Sequence, residues 1–243
     1  MNNKSLFALI KEDFATPIKN DPALHSKFEL VFNYPGVWAV VNYRIANKLY
    51  NKEFKFLARM ISGLSQIITN IDIHPAATIG RRVFIDHGFG VVIGETAVIE
   101  EDVLIYQGVT LGGVSLSHGK RHPTIKKNSV IGSGAKILGN ITIGENCKIG
   151  ANSVVIKDVP CNSTAVGVPA RIVRRKDDHC SDTSALDHNN LPDVSKEMII
   201  YLMKRVAVLE HALKEHDGID VSQEDKELDH IYANFINAMK NDE

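Results

Sequence analysis

The sequence predicts an α+β protein with an N-terminal helical segment, a left-handed parallel β-helix built from hexapeptide repeats, and C-terminal helices. The main observation is an aliphatic residue at about every sixth position through the middle of the chain, and so short a fixed period indicates a solenoid. The residues with this spacing are Ile73, Ile79, Ile85, Ile93, Ile99, Ile105, Leu111, Ile125, Ile131, Ile137, Ile143, Ile149 and Val155. Glycines directly after the aliphatic position, such as Gly94 and Gly132, indicate a tight turn in each hexad. We therefore expect short parallel strands, three to each triangular coil.

Residues 1–70 are predicted to form the helical segment. Ser5 is a suitable N-cap for a first helix through Phe14, and apolar residues recur at helical spacing over residues 38–50 and 54–68. Charged and polar residues interrupt the last of these stretches, so it does not read as a membrane-spanning helix.

Residues 71–175 are predicted to form the β-helix domain, and its regular spacing is interrupted twice. The first interruption inserts two residues around Asp86–Gly90, and the second is a stretch without aliphatic rhythm over residues 112–124. A solenoid that extrudes a loop usually does so for a functional reason, so we expect functional residues at these two places.

Residues 176–243 are predicted to be a linker followed by helices. Apolar residues from Ile199 onward follow a heptad pattern, which fits either contact between subunits or packing on the same subunit. A last amphipathic helix is predicted from Ser222 to about Lys240.

Composition excludes several classes of partner. The formal net charge is −1, so no electrostatic attraction to nucleic acid or to an anionic membrane is expected. The chain has three cysteines, and Cys147 and Cys161 are expected to point into the coil as small apolar residues. The first residues contain no long apolar run, and together these features favour a cytoplasmic protein.

The residues that could carry chemistry lie in the two interruptions. His87 follows Asp86 in the first, and His122 follows Arg121 in the second, while Asp72 lies about one coil before His87. A triangular prism has flat faces and no deep cavity, so we expect ligands to bind in clefts between neighbouring prisms of a trimer.

Seven short motifs together resemble those of the serine O-acetyltransferases, the hexapeptide-repeat enzymes that open cysteine biosynthesis. The motifs are DIHPAA at 72–77, IDHG at 85–88, IGETAV at 93–98, GVTLGG at 108–113, KRHPT at 120–124, GAKILGN at 134–140 and GVPAR at 167–171. The resemblance covers roughly residues 15 to 175. Hexads alone are common among acyltransferases, whereas this combination in register is specific.

The resemblance implies a role for each matching residue. His87 corresponds to the general base that takes the proton of the serine hydroxyl, and Asp72 to the carboxylate that orients its imidazole. Asp21 and Asp86 correspond to the acids that hold the substrate ammonium.

Arg121 corresponds to the group that binds the substrate carboxylate, with His122 beside it. A zwitterion needs one charge of each sign opposite it, which this set supplies.

The resemblance also implies that acetyl-CoA is the co-substrate. The residues that match the wall along which the coenzyme arm lies are Gly112, Gly113, Ala135, Lys148 and Ala151. No cysteine or serine is placed beside His87 as an enzyme nucleophile, so direct transfer is favoured over a covalent enzyme intermediate. No metal is expected.

The resemblance further implies a homotrimer that L-cysteine inhibits. Longer members pair two trimers through extra N-terminal helices, and only about seventy residues precede the coil here, so a hexamer is left open. Members that dock on O-acetylserine sulfhydrylase do so through a terminal isoleucine, whereas this sequence ends in Glu243, so docking there is not expected.

Two alternatives remain on the residues alone. A hexapeptide acyltransferase for a sugar or another small acceptor would share the coil but would not need opposite charges such as Asp86 and Arg121. A metal hydratase of the γ-carbonic anhydrase type would use histidines between subunits, with His87, His118 and His122 as candidate zinc ligands. Their spacing does not match that family.

Overall fold

A computed structural model of the protein describes residues 5–175 and 199–209. Residues 5–175 belong to one compact unit, and the helical residues 199–209 belong to a second. The predicted linker, the rest of the heptad segment and the predicted helix from Ser222 lie outside the described residues.

The N-terminal segment is helical, as the sequence predicts. The helices are α1 (Leu6–Asn20), α2 (Glu29–Phe32), α3 (Pro35–Tyr50) and α4 (Lys55–Thr69). Ser5 caps α1, because its hydroxyl accepts a hydrogen bond from the backbone N–H of Ala8 at 3.3 Å. Helix α1 runs six residues past the predicted end at Phe14 and continues through Pro17 to Asn20. Helix α2 was not predicted, since a single turn is too short to show a helical period.

The coil consists of very short strands in three sheets. Sheet A contains β1 (Asp72–Ile73), β4 (Val92–Ile93), β7 (Thr110–Gly112), β10 (Lys136–Leu138) and β13 (Val154–Val155). Sheet B contains β2 (Thr78–Ile79), β5 (Val98–Ile99), β8 (Thr124–Ile125) and β11 (Thr142–Ile143). Sheet C contains β3 (Phe84–Ile85), β6 (Leu104–Ile105), β9 (Val130–Ile131), β12 (Lys148–Ile149), β14 (Ser163–Gly167) and β15 (Ala170–Arg175). All pairs are parallel except β14 with β15, which closes the coil as an antiparallel hairpin.

The predicted aliphatic positions form the core of the coil. All thirteen aliphatic side chains named at the outset are at most 6 % exposed, and each stacks on its equivalent in the next coil, as Ile93 does on Leu111. Because each strand from β1 to β13 offers one such residue inward, burial of this column favours a single register of the strands. The left-handed parallel β-helix is thereby confirmed.

The strands alternate between sheets, so the turns between them form three corners of a prism. The CA corner comprises residues 86–91, 106–109, 132–135 and 150–153, between sheets C and A. The AB corner comprises residues 74–77, 94–97, 113–123 and 139–141, between sheets A and B. The first interruption therefore lies at the CA corner, and the second, extruded loop lies at the AB corner. The BC corner holds the remaining turns.

Helix α1 is attached to the coil by a buried ion pair. The Arg44 guanidinium on α3 donates to the Asp13 carboxylate on α1 at 3.1 and 3.2 Å, and both side chains are almost fully buried. The same guanidinium donates to the carbonyl oxygens of Ile79 at 2.5 Å and Gly80 at 2.6 Å. This arrangement fixes the axis of α1, whose C-cap is Asp21.

Helix α4 packs with its small residues inward. Ala58, Ser62, Ser65 and Thr69 are buried, and the Ser62 hydroxyl donates to the carbonyl of Ile73 at 2.6 Å. The large apolar side chains point outward, and those exposed are Phe56, Leu57, Met60, Leu64, Ile67 and Ile68. No helix among the described residues is long and apolar enough to cross a membrane.

The two cysteines described differ in burial. Cys147 is fully buried in the coil, as predicted, whereas Cys161 is exposed. The prediction for Cys161 was wrong because the residue lies in the turn that follows Val159, two positions beyond the inward site of that repeat.

Candidate active site

Asp21 is held rigidly at the end of α1. Its Oδ1 accepts from the backbone N–H of Ala23 at 2.8 Å, and its Oδ2 accepts from the Tyr34 hydroxyl at 2.6 Å. Burial, and then the hydrogen bond to Asp21, raises the pKa of Tyr34, so the phenol stays a donor to this carboxylate. Asp21 therefore presents a fixed carboxylate beside the coil.

Asp86 lies close enough to Asp21 for the two carboxylates to interact. Burial is the main cause that raises the pKa of Asp86; His87 opposes the rise, and the negative charge of Asp21 adds to it. Burial also raises the pKa of Tyr106, on the next turn of the CA corner, and both carboxylates contribute to that rise. Two acids whose charges repel in a half-buried place form a site that a cation would stabilise.

His87 is exposed at the CA corner directly after Asp86. Its backbone is in the left-handed region with φ 58°, which turns the chain sharply at the first interruption. Gly88 follows at φ 81°, and a Cβ there would lie 2.5 Å from Cδ1 of Ile71, so the turn requires glycine. Asp72 lies on sheet A beside Val92, and none of the hydrogen bonds among the described residues joins it to His87.

Arg121 lies in the extruded loop at the AB corner. Its guanidinium donates to Glu95 Oε2 at 2.5 Å and to the Ser117 carbonyl at 3.4 Å. The hydrogen bond from Arg121 lowers the pKa of Glu95, which therefore remains charged as the partner of the arginine. Arg121 is thus half-buried and oriented, with a carboxylate on one side.

His122 follows Arg121 and is buried against the preceding coil. Its Nδ1 lies 2.8 Å from Thr96 Oγ1 and 3.2 Å from the Thr96 backbone nitrogen. Burial lowers the pKa of His122, and the positive charges of Arg121 and Lys120 lower it further. Lys120 in turn donates to the carbonyl oxygens of Thr96 at 2.7 Å and His122 at 2.5 Å, which ties the loop end to the coil.

The residues predicted to line the coenzyme lie at more than one corner. Gly112 ends β7 and Gly113 begins the extruded loop, so both border the AB corner. Ala135 and Ala151 belong to the CA corner, where Ala151 is exposed and the Ala135 methyl is fully buried. Lys148 lies on β12 in sheet C. Within one chain these five residues therefore do not form a single wall.

The catalytic and substrate candidates are likewise divided between two corners. Asp86 and His87 lie at the CA corner, and Asp21 interacts with Asp86 there. Arg121 and His122 lie at the AB corner, on the other side of sheet A. One chain thus carries an acidic half-site with an imidazole, and a basic half-site with a second imidazole.

Sequence reasoning missed the residues that orient these groups. Tyr34 fixes Asp21, Glu95 fixes Arg121, Thr96 contacts His122, and Lys120 closes the loop. Glu95, Thr96 and Lys120 stand within the motifs already noted, which is the signal that could have found them. Among the described residues, no three His, Cys, Asp or Glu side chains are grouped as metal ligands.

A hexapeptide-repeat coil with histidines and opposite charges at two of its corners indicates the class of hexapeptide-repeat transferases. The family model for bacterial transferase hexapeptides (six repeats) matches residues 122–157. The serine acetyltransferase of Bacillus subtilis (strain 168) is 49 % identical over 209 residues, which cover 86 % of this chain and 95 % of that protein. The chain therefore belongs to the serine acetyltransferase family.

Solved structures agree with this assignment. A serine acetyltransferase in complex with cysteine is 45 % identical, with a TM-score of 0.69, over 72 % of this chain and 68 % of that one. The serine acetyltransferase of Brucella abortus strain S19 in complex with coenzyme A is 43 % identical, with a TM-score of 0.69, over 72 % of this chain and 70 % of that one. The family decides against the sugar acyltransferase and the metal hydratase considered above.

Proposed function

We propose that this chain transfers the acetyl group of acetyl-CoA to the hydroxyl of L-serine through sites formed between neighbouring copies in a homotrimer. The reaction is assigned from membership of the serine acetyltransferase family. Its product is O-acetylserine, and it is the first step of cysteine biosynthesis. The residue roles and the assembly are the parts that we infer from this chain.

His87 is the general base in this proposal. A serine hydroxyl is a poor nucleophile until a base removes its proton during attack, and imidazole has a suitable pKa range for that task. The oxygen attacks the thioester carbonyl, a C–O bond forms, the C–S bond breaks, and the proton held by His87 passes to the departing thiolate. The exposed position of His87 at a corner supports this role. Asp72 would orient the imidazole.

The substrate zwitterion is held by the two half-sites. Asp21 and Asp86 accept the ammonium, whose positive charge relieves their mutual repulsion and the burial of Asp86. Arg121 pairs with the carboxylate, with His122 beside it. Glu95 accepts a hydrogen bond from the Arg121 guanidinium, so the planar guanidinium is already oriented before the ligand binds.

The division of these groups between the CA and AB corners is the observation that supports sites formed between copies of a trimer. The two corners lie at opposite ends of the sheet A strands, so they are separated by the width of one face of the prism, and at roughly 3.3 Å per residue of strand a zwitterion of serine's size cannot reach both. The CA corner of one copy placed against the AB corner of the next brings both signs of charge together. Three copies then give three equivalent sites around a closed ring.

The same juxtaposition supports a coenzyme site. Gly112 and Gly113 would come from one copy, and Ala135, Lys148 and Ala151 from its neighbour. Small residues there let the pantetheine arm run against backbone, and the Lys148 ammonium is suited to a phosphate. Acetyl-CoA is accordingly the co-substrate, and no step of the reaction as written requires a metal.

L-cysteine should compete with serine for this site. It carries the same ammonium and carboxylate, so the same charges accept it, with its thiol where the hydroxyl would stand near His87. The solved relative in complex with cysteine supports this proposal. Free thiols at Cys147 and Cys161 are consistent with a reducing compartment, and we place the enzyme in the cytoplasm.

A direct assay tests the function. Release of free coenzyme A from acetyl-CoA is measured with L-serine, with L-cysteine added as inhibitor, and with a sugar acceptor in place of serine. We expect release that depends on L-serine, and inhibition by L-cysteine that saturating serine removes. Equal or greater release with the sugar acceptor and none with L-serine would overturn the proposal.

A further inference from the structure

Thr96 makes an unusually complete set of contacts with the loop that carries Arg121 and His122. Its Oγ1 accepts from the backbone N–H groups of Arg121 at 3.0 Å and of His122 at 3.1 Å. The same oxygen lies 2.8 Å from His122 Nδ1, and the Thr96 backbone nitrogen lies 3.2 Å from that ring atom. One residue of the preceding coil thus holds both the loop backbone and the imidazole.

These contacts determine which ring nitrogen carries the proton. A backbone N–H can only donate, so Nδ1 must accept from the Thr96 N–H and cannot bear hydrogen. The Thr96 hydroxyl oxygen uses its two lone pairs on the loop N–H groups, so its own hydrogen is directed to Nδ1 as well. The hydrogen of the neutral imidazole is therefore on Nε2.

The ring has little freedom to leave this position. A Cβ on Gly94 would lie 2.0 Å from His122 Cδ2, so the imidazole occupies the space that a side chain would take there. Lys120 adds hydrogen bonds to the carbonyls of both Thr96 and His122, so the coil and the loop are joined on two sides. A Cβ on Gly113 would meet Nε2 at 3.3 Å, which places Nε2 beside the proposed coenzyme wall.

We propose that Thr96 is a positioning residue that fixes His122 as the neutral Nε2–H tautomer, so that His122 donates a hydrogen bond to the substrate carboxylate and does not act as a base. This rests on the proposed function, and it gives the two histidines different tasks. His87 takes a proton, while His122 offers one to an oxygen that Arg121 also binds.

The surroundings of the ring favour the neutral form. Burial lowers the pKa of His122 most, and the positive charges of Arg121 and Lys120 on its own loop lower it further. Glu95 on the preceding coil acts in the opposite sense, but Arg121 already pairs with it. Burial lowers the pKa of His74, one coil further, and the charge of His122 lowers it slightly more, so the two rings do not favour each other's charged form.

The test uses the full chain with its histidines labelled with ¹⁵N. Long-range ¹H–¹⁵N spectra of the wild type should show His122 neutral and protonated on Nε2 at pH 7. An Nδ1–H tautomer, or a charged ring at that pH, would overturn the proposal. This readout does not depend on turnover, so absence of serine-dependent activity would refute the proposed function, whereas the tautomer of His122 would still be decided by the spectra.

Two substitutions separate positioning from general stability. Thr96→Val keeps the shape of the side chain and loses the hydroxyl. It should raise the KM for serine about 2- to 10-fold, with a smaller change in kcat. The His122 ring should also gain its second proton at higher pH, because the hydroxyl no longer donates to Nδ1. Thr96→Ser restores the hydroxyl and should return KM, ring titration and tautomer to wild-type values. Unchanged ring titration and KM in Thr96→Val, or a Thr96→Ser variant no better than Thr96→Val, would show the inference to be wrong.

Discussion

At the scale of single residues, His87 is the group on which turnover should depend most. We predict that His87→Asn lowers kcat by about 10²- to 10⁴-fold, the contribution expected of a general base. Asparagine is the informative replacement, because it tolerates the left-handed backbone that His87 adopts and that Asn128 and Asn146 adopt elsewhere in the coil. The measurements are kcat with serine and the thermal unfolding midpoint.

The matched control for that prediction is His118→Asn, an exposed histidine of the extruded loop. It should leave both kcat and the unfolding midpoint close to wild type. If His87→Asn keeps a near-normal rate at neutral pH, another residue is the base and the proposed mechanism fails.

Tyr34 should affect substrate binding and leave the chemical step almost unchanged. Tyr34→Phe removes the donor to Asp21 Oδ2, so this carboxylate loses one of the two hydrogen bonds that hold it. We predict a rise of about 3- to 10-fold in the KM for serine and a similar rise in the inhibition constant of L-cysteine, with kcat within about twofold. Steady-state kinetics with both ligands measures this.

A second tyrosine provides the control for Tyr34. Tyr50→Phe makes the same chemical change on α3, where the described hydrogen bonds do not involve the Tyr50 hydroxyl. It should leave both constants unchanged. A Tyr34→Phe variant that alters kcat and not KM would place Tyr34 in the chemical step, contrary to this prediction.

The sequence supplied the charged candidates but not the groups that orient them. Asp86 and His87 stand out because they interrupt a regular period. Thr96 and His122 are 26 residues apart and meet only because the extruded loop returns to the preceding coil. Tyr34 and Asp21 are 13 residues apart, and their hydrogen bond forms because the chain between them turns through α2, which was not predicted. Contacts of this kind depend on the path of the chain, which a local pattern does not specify.

At the scale of elements, the position of α1 should depend on the Arg44–Asp13 pair. Arg44→Met leaves the Asp13 carboxylate buried without its cation and frees the carbonyls of Ile79 and Gly80. We predict a loss of about 3–5 kcal/mol in the free energy of unfolding, the usual cost of removing one partner of a buried pair. Because Asp21 is the C-cap of α1, the KM for serine should rise as well. Denaturant unfolding and kinetics measure the two effects.

The adjacent pair of Arg81 and Glu12 allows a matched comparison. It also joins α1 to the coil, at 2.7 and 2.8 Å, but its side chains are about one-fifth exposed. Arg81→Met should therefore cost only about 0–1 kcal/mol. Equal losses in the two variants would mean that burial of the Arg44 pair is not what anchors α1.

The elements themselves were predictable to different degrees. The coil follows from its period, because one inward aliphatic side chain per strand leaves few other ways to bury so many of them. Helix α4 was predicted, but not which of its faces packs inward. Its small residues face α3 and the coil, since Ser65 accepts a hydrogen bond from Asn42 on α3 and Ser62 donates one to the carbonyl of Ile73, and its large apolar residues point out. Periodicity identifies an amphipathic helix without stating which surface covers it.

At the scale of the whole molecule, the isolated chain leaves much apolar surface uncovered. The outward face of α4 is the largest such group among the described residues, and Phe89 and Val92 are also exposed, near the CA corner. Surface of this extent usually marks an interface. We accordingly predict a trimer, or a pair of trimers, by light scattering at micromolar concentration, and a monomer would contradict the proposed assembly.

Subunit mixing tests whether the two corners come from different copies. His87→Asn disables the CA corner and Arg121→Ala disables the AB corner, so each variant alone should be nearly inactive. In the test, the two variants are unfolded together and refolded at equal ratio. If sites form between copies, each mixed trimer contains one interface with both residues intact, so about a quarter of the wild-type sites should be restored. Each variant refolded alone is the control and should recover nothing. No recovery in the mixture, despite mixed trimers identified by differently tagged chains, would mean that both groups act within one chain.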